Sequence, residues 1–224
     1  MTDYYVLHSG GMDSTTALTL ATQSPDARRV YAVGVNYGQR HVKELQAAET
    51  IRAALGVRSL TLDLTGYGRS VTSALTTGGI PVPDGHYAAD NMAVTVVPGR
   101  NAVMLTALAG MAASLTEESE NVNLVAAVHA GDHAIYRDCR PEFIAAIQNA
   151  IRTGVGDNIS VWAPFAHQTK TDIARTAADI DAPVGLSWSC YKGGEVHCGT
   201  CGTCVERKEA FRNAGLNDPT EYAS

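Results

Sequence analysis

His8-Ser9-Gly10-Gly11-Met12-Asp13-Ser14-Thr15-Thr16 decides how this chain folds. It joins residues 4–8, an apolar run that reads as a strand, to residues 14–22, an Ala-, Leu- and Thr-rich run that reads as a helix. Two adjacent glycines let the backbone turn tightly and bring its N–H groups up to an anion, and the helix N-terminus adds partial positive charge. Hydroxyls of Ser9, Ser14 and Thr15 add donors. The loop has neither the lysine of a Walker A motif nor the G-x-G-x-x-G of a dinucleotide fold. Taken alone, it also fits a capped turn, with Asp13 as the helix cap.

Outward from this turn, apolar and helix-period segments alternate, the pattern of an α/β domain whose sheet is covered on both faces. Strands are expected at residues 30–36, 59–64, 122–128 and 159–162. Helices are expected at 41–55, 101–115, 141–152 and 169–178. The second helix carries an apolar stripe at Leu45, Ala48, Ile51 and Leu55, and helix 101–115 reads as buried on most sides. Pro141-Glu142 suits a first helical turn, and Thr169 suits a cap. Between Thr65 and Arg100 lie six glycines and three prolines, which reads as a long functional loop. The expected fold is a doubly wound, mostly parallel α/β domain, residues 1–187, followed by a small metal-binding segment, residues 188–224.

Four of the five cysteines, Cys190, Cys198, Cys201 and Cys204, are spaced C-x7-C-x2-C-x2-C. In a reducing compartment two overlapping C-x2-C spacings indicate a closed, structural zinc site of four thiolates; a disulfide cluster is the competing reading. His197 is an alternative ligand that a complete thiolate set does not need. Cys139 stands apart, and a lone cysteine is more often buried and inert than reactive.

The chain has 224 residues, 45% hydrophobic and 18% charged, enough for one packed domain with a small appendage. Its net charge of −6 argues against a broad nucleic-acid footprint, and the tail from Cys190 onward is itself net −1. No leader is evident and no apolar stretch reaches membrane-spanning length, so a cytoplasmic protein is expected.

Ser9 to Ser14 match S-G-G-x-D-S, and in this respect the chain resembles the PP-loop ATP pyrophosphatases. Further segments resemble the 7-cyano-7-deazaguanine synthase family, QueC type. They are Tyr37-Gly38-Gln39-Arg40-His41, Val97-Pro98-Gly99-Arg100-Asn101, Asp138-Cys139-Arg140-Pro141-Glu142-Phe143, and the tail from Ser189 through the cysteines to Glu206-Arg207. The resemblance implies ATP-dependent conversion of 7-carboxy-7-deazaguanine and ammonia to 7-cyano-7-deazaguanine (preQ0). It implies ATP binding by His8, Ser9, Gly10, Gly11, Met12, Asp13, Ser14, Thr15, Thr16, Gln39, Arg40 and Lys170, with Mg²⁺ near Asp13 and a homodimeric assembly. Asp13, Ser14, Arg100 and Lys170 are the expected catalytic residues.

Arg100 sits at a helix start, where an arginine opposes the dipole and so suggests an anionic ligand. Arg40 and Lys170 each have a plain alternative as solvated charges. The expected acceptor contacts are Arg100, Asn101, His129, Asp132, His133, Asp138, Arg140 and Glu142. Residues 128–137 depart from the family pattern, and His129, Asp132 and His133 are candidates to take a proton from incoming ammonia. Two alternatives remain: a PP-loop enzyme that modifies a tRNA base, and one that ligates another amine or stops at the deazaguanine amide.

Overall fold

The computed structural model describes residues 1–38, 42–76, 84–85 and 90–223. Five strands, β1 (Thr2–Leu7), β2 (Ala27–Asn36), β3 (Arg58–Asp63), β4 (Asn121–Val125) and β5 (Ile159–Trp162), form one sheet in the order β3-β2-β1-β4-β5. Every pairing is parallel. Parallel strands need crossovers, and the helices α1 (Met12–Thr22), α2 (Val42–Leu55), α3 (Thr65–Ser70), α4 (Arg100–Leu115) and α5 (Pro141–Gly154) supply them, while α6 (Lys170–Asp179) follows the last strand and packs back on the domain. This is the doubly wound α/β fold that the alternating sequence pattern predicts.

Alternation along β1 divides the core. Tyr5 joins Leu105, Leu108, Ala109 and Ile151 on the face covered by α4 and α5. Tyr4 and Val6 join Leu18, Ile51 and Ile173 on the opposite face, under α1, α2 and α6. Because β1 leads to one face and β4 to the other, their C-terminal ends diverge and leave a crevice at the switch in strand order.

The structure corrects several expectations. The Gly-rich region 65–100 is not wholly a loop: it contains the six-residue α3 and a 3₁₀ segment, Asp90–Thr95. Glycine fits α3 for a packing reason, since a Cβ on Gly68 would fall 1.6 Å from the Tyr37 carbonyl oxygen. Helix α4 is buried along one stripe rather than all round, with Leu115 exposed. The stretch Ala93–Leu115 does reach membrane-spanning length and hydropathy. Its Leu105, Leu108, Ala109 and Ala112 are spent on the sheet, which is why a core helix is so apolar.

On α2, Leu45 is exposed, and the inward stripe is Glu44, Ala48, Ile51 and Leu55. The cysteine tail contains an unanticipated helix, α7 (Gly202–Ala214), capped at its C-terminus by Gly215 in the left-handed conformation. Ala210 and Phe211 of α7 share the apolar cluster of α1 and α6.

Candidate active site

The crevice is a cavity of about 260 Å³. Its walls come from the exit of β1, the exit of β4, the start of α4, Lys170 at the start of α6, and the cysteine tail.

The β1–α1 turn is built around Gly10, at φ +86°. A Cβ there would lie 2.5 Å from the Glu44 carbonyl oxygen and 2.7 Å from the Ala48 nitrogen, so the turn seats directly on the α2 backbone. Gly11 occupies the N-cap of α1 without a side-chain cap, which leaves the first-turn N–H groups without intrahelical partners. The hydroxyls brace the loop: Gly11 N–H donates to Ser9 Oγ at 3.3 Å, Ser14 Oγ lies 3.2 Å from Ser9 Oγ, and Thr15 Oγ1 donates to the Gly11 carbonyl at 2.8 Å. Thr16 donates to the Met12 carbonyl. His8, Ser9, Gly11, Met12, Asp13 and Ser14 line the cavity, whereas Gly10, Thr15 and Thr16 shape the turn from behind.

Asp13 is not the cap of α1. Its Oδ2 accepts from Lys170 Nζ at 2.5 Å, while its buried Oδ1 has no hydrogen-bond partner among the described residues. Thr169 caps α6 through a reciprocal box with Asp172, and that fixes where Lys170 begins the helix. Burial alone would lower the Lys170 pKa, but the carboxylates of Asp13 and Glu206 raise it well above the usual range. Glu206 Oε2 lies 3.6 Å from Lys170 Nζ.

His129 Nε2 stands 3.7 Å from Asp132 Oδ2 and 3.9 Å from both Asp13 Oδ2 and Glu206 Oε1. Its Nδ1 accepts the Gly131 N–H at 3.1 Å, so the neutral ring carries its proton on Nε2, toward the carboxylates. His129 is therefore placed as a donor, contrary to the expectation that it takes a proton. Asp132 and Glu206, with Asp13, are the carboxylates nearest its Nε2. Glu206 was missed as a site residue because the helix bearing it was missed.

The other end of the cavity is lined by Leu7, Val33, Val35, Leu75 and Met104, with Tyr37, Tyr191 and Cys139 near Arg100. Burial pushes the Cys139 thiol far up, and Asn101 Nδ2 lies 3.3 Å from its sulfur, the marks of an inert thiol. Glu44, in the first turn of α2, also lines this end. Burial pushes its carboxyl up to about 7, against the pull of Arg100. The available sequence signal was an acid heading the i, i+4, i+7, i+11 stripe of α2.

The cavity gathers Asp13, Ser14, Arg100, Asn101, His129, Asp132 and Lys170, but not His133, Asp138, Arg140 or Glu142. Asp138 accepts the Asn101 N–H at 2.9 Å and its carbonyl takes Asn101 Nδ2, so it anchors the start of α4. Arg140 donates to the His133 carbonyl, and Glu142 is an exposed first-turn acid of α5. Gln39 and Arg40 lie outside the described residues.

Behind the cavity, the sulfurs of Cys190, Cys198, Cys201 and Cys204 lie within 4.8 Å of one another. Tetrahedral bonds of about 2.3 Å need sulfur–sulfur edges near about 3.8 Å, so modest closure completes a metal site. Backbone N–H groups of Cys198 and Lys192 point at Cys190 Sγ, and those of Thr200 and Cys201 at Cys198 Sγ, as thiolates require. His197 is occupied elsewhere: its Nε2 accepts the Ser189 N–H, and its ring stacks on Trp188. Arg207, 1% exposed, binds Asp218, Ser187 and the Val184 carbonyl, which ties α7 to the domain.

The family model described as queuosine biosynthesis protein QueC matches residues 4–215. The 7-cyano-7-deazaguanine synthase of Paracoccus denitrificans is 46% identical over 220 residues, covering 97% of this chain and 91% of the relative. That of Brucella anthropi is 48% identical over 221 residues, with coverages of 97% and 92%. A third, from a Ruegeria species, is 45% identical over 221 residues, again with 97% and 92% covered. With a family match across residues 4–215 and such relatives along nearly its whole length, this chain belongs to the QueC family.

Proposed function

We propose that this chain is an ATP-dependent 7-cyano-7-deazaguanine synthase. One observation carries the reading beyond family membership: the phosphate loop and Arg100 open into the same cavity. A single site can thus serve two successive activations. In the first, the substrate carboxylate oxygen attacks the α-phosphate of ATP, expelling pyrophosphate and leaving an acyl adenylate. Ammonia adds to the activated carbonyl, loses a proton and displaces AMP to give the amide. The amide oxygen then attacks a second ATP; pyrophosphate leaves, and loss of AMP and of both amide protons forms the nitrile.

The chain's own groups suit these steps. First-turn N–H groups of α1 and the Lys170 ammonium face the departing phosphates. Asp132 and Glu206 line the cavity, which suits them to take the ammonia proton. The buried free oxygen of Asp13 suits Mg²⁺, with Asp132 and Glu206 nearby; when bound with ATP, that ion neutralises phosphate charge. The four thiolates suit Zn²⁺ in a structural role, with residues 188–224 clasping the ATP-binding domain, residues 1–187. Such thiolates persist in a reducing compartment, which supports a cytoplasmic protein. A homodimer is what the family resemblance implies, and light scattering after size exclusion would test it.

Mass spectrometry of a reaction with Mg·ATP, ammonium and 7-carboxy-7-deazaguanine tests the function. A nitrile product that disappears in Asp13→Ala supports it. An amide alone would mean that only the first activation occurs, and no acceptor-dependent product would overturn the assigned acceptor.

A further inference from the structure

We infer that Glu44 is a specificity residue that reads the 2-aminopyrimidinone edge of the acceptor, side by side with Arg100. The inference rests on the proposed acceptor and adds what the cavity does with its heterocycle. Glu44 is a carboxylate in the wall of a cavity also lined by Val33, Val35, Leu75 and Met104, close to Arg100, Tyr37 and Tyr191. Among the described residues, no hydrogen bond or ion pair within 4 Å reaches it, although Arg100 is near enough for its charge to act on the carboxyl. A carboxylate held in such surroundings is costly unless a ligand completes it.

As an acid in the first turn of α2, Glu44 would ordinarily serve the helix dipole from the solvent side. Here it turns inward, heading the buried stripe of Ala48 and Ile51. Its backbone carbonyl also seats Gly10, so its position is locked to that of the phosphate loop.

The acceptor supplies the complement. Around its heterocycle run the 7-carboxylate, the ring carbonyl, the ring N–H and the exocyclic amine: two acceptors followed by two donors. A guanidinium beside a carboxylate presents the opposite order. Arg100 suits the carboxylate and carbonyl with its fork of donors, and the two oxygens of Glu44 suit the N–H pair. Contact with those donors would keep Glu44 ionised, which burial alone opposes.

The test compares 7-carboxy-7-deazaguanine with its analogue lacking the 2-amino group, in the wild type and in Glu44→Gln. The wild type is expected to prefer the 2-amino acceptor by about 100-fold in kcat/KM, because the analogue leaves a buried carboxylate short of a donor. Glu44→Gln is expected to narrow that preference below about tenfold, through acceptor KM, with ATP KM changed less than twofold. Equal use of both acceptors by the wild type overturns the inference while leaving the proposed function intact, and this arm needs no variant to fold. Unchanged discrimination in Glu44→Gln overturns it as well. Failure of the wild type to form nitrile from either acceptor removes the function and the inference together.

Discussion

Lys170 Nζ sits 2.5 Å from Asp13 Oδ2, joining the first turn of α6 to the first turn of α1 across 157 residues of sequence. With Glu206 at 3.6 Å, a single lysine serves two carboxylates in a recess where its side chain is only 16% exposed. Replacing it with methionine removes the cation proposed to face the phosphates and leaves the two acids repelling each other. We expect Lys170→Met to cut acceptor-dependent pyrophosphate release by at least about 100-fold. Retention of more than a tenth of wild-type release would show that the lysine serves structure alone.

Gly10 and Gly11 are neighbours with opposite tolerances. Alanine at Gly10 meets the α2 backbone and a φ of +86°, whereas alanine at Gly11 has the Ser9 hydroxyl, at 3.4 Å, as its nearest neighbour. Strain of roughly 1–2 kcal/mol plus the overlap should lower the melting temperature of Gly10→Ala by more than about 5 °C and abolish ATP binding. Gly11→Ala should melt within about 3 °C of the wild type, since at φ −78° alanine fits the backbone and the lower entropy of the unfolded chain offsets the preference of an N-cap for glycine. Calorimetry of both variants decides it: equal melting would mean that the loop does not seat on α2.

The residues that the sequence alone made legible are those whose signal is local. Ser9 to Ser14 were legible as a strand-to-helix turn because a glycine pair at that place leaves the backbone few options. The cysteines read correctly because their spacing is itself the geometry. Glu44 was hidden because an apolar stripe is counted from its apolar members, and Leu45, exposed at the cavity wall, mimicked the first of them. Glu206 was hidden because α7 is charged overall, and its inward face becomes visible only against α6 and the cluster holding Phe211. Asp138 and Arg140 stand beside the site in sequence, but which way a side chain turns is settled by long-range partners, here the Asn101 N–H and the His133 carbonyl.

The four-cysteine cluster should control the order of α7. Cys201 is the N-cap of that helix and Cys204 lies in its first turn, just before Glu206 and the buried Arg207. A bound metal would therefore fix the start of a helix that delivers one acid to the cavity. Metal stripped by a chelator, or lost in Cys204→Ser, should raise hydrogen exchange across residues 202–214 and lower the melting temperature by more than about 10 °C, since structural zinc sites contribute folding energy directly. Elemental analysis alongside the exchange experiment fixes the metal content. Unchanged protection of α7 at less than about a tenth of a metal per chain would separate the cluster from the fold.

His8 makes the fold sensitive to mild acid. Its ring is 2% exposed, and burial, aided by the positive charge of Arg52, lowers its pKa to about 4 from the ordinary 6.5. The unfolded chain thus takes up a proton below pH 6.5 that the folded chain refuses until about pH 4. Stability from this residue is complete above pH 6.5, falls as pH drops through the window, and stops falling below pH 4. Between pH 7.5 and 5.0 the loss amounts to roughly 2 kcal/mol at 1.36 kcal/mol per unit. Urea unfolding at those two values, on the wild type and on His8→Asn, measures it. The variant should lose about 2 kcal/mol less than the wild type over this interval, and equal losses would show that His8 is protonated in the folded state.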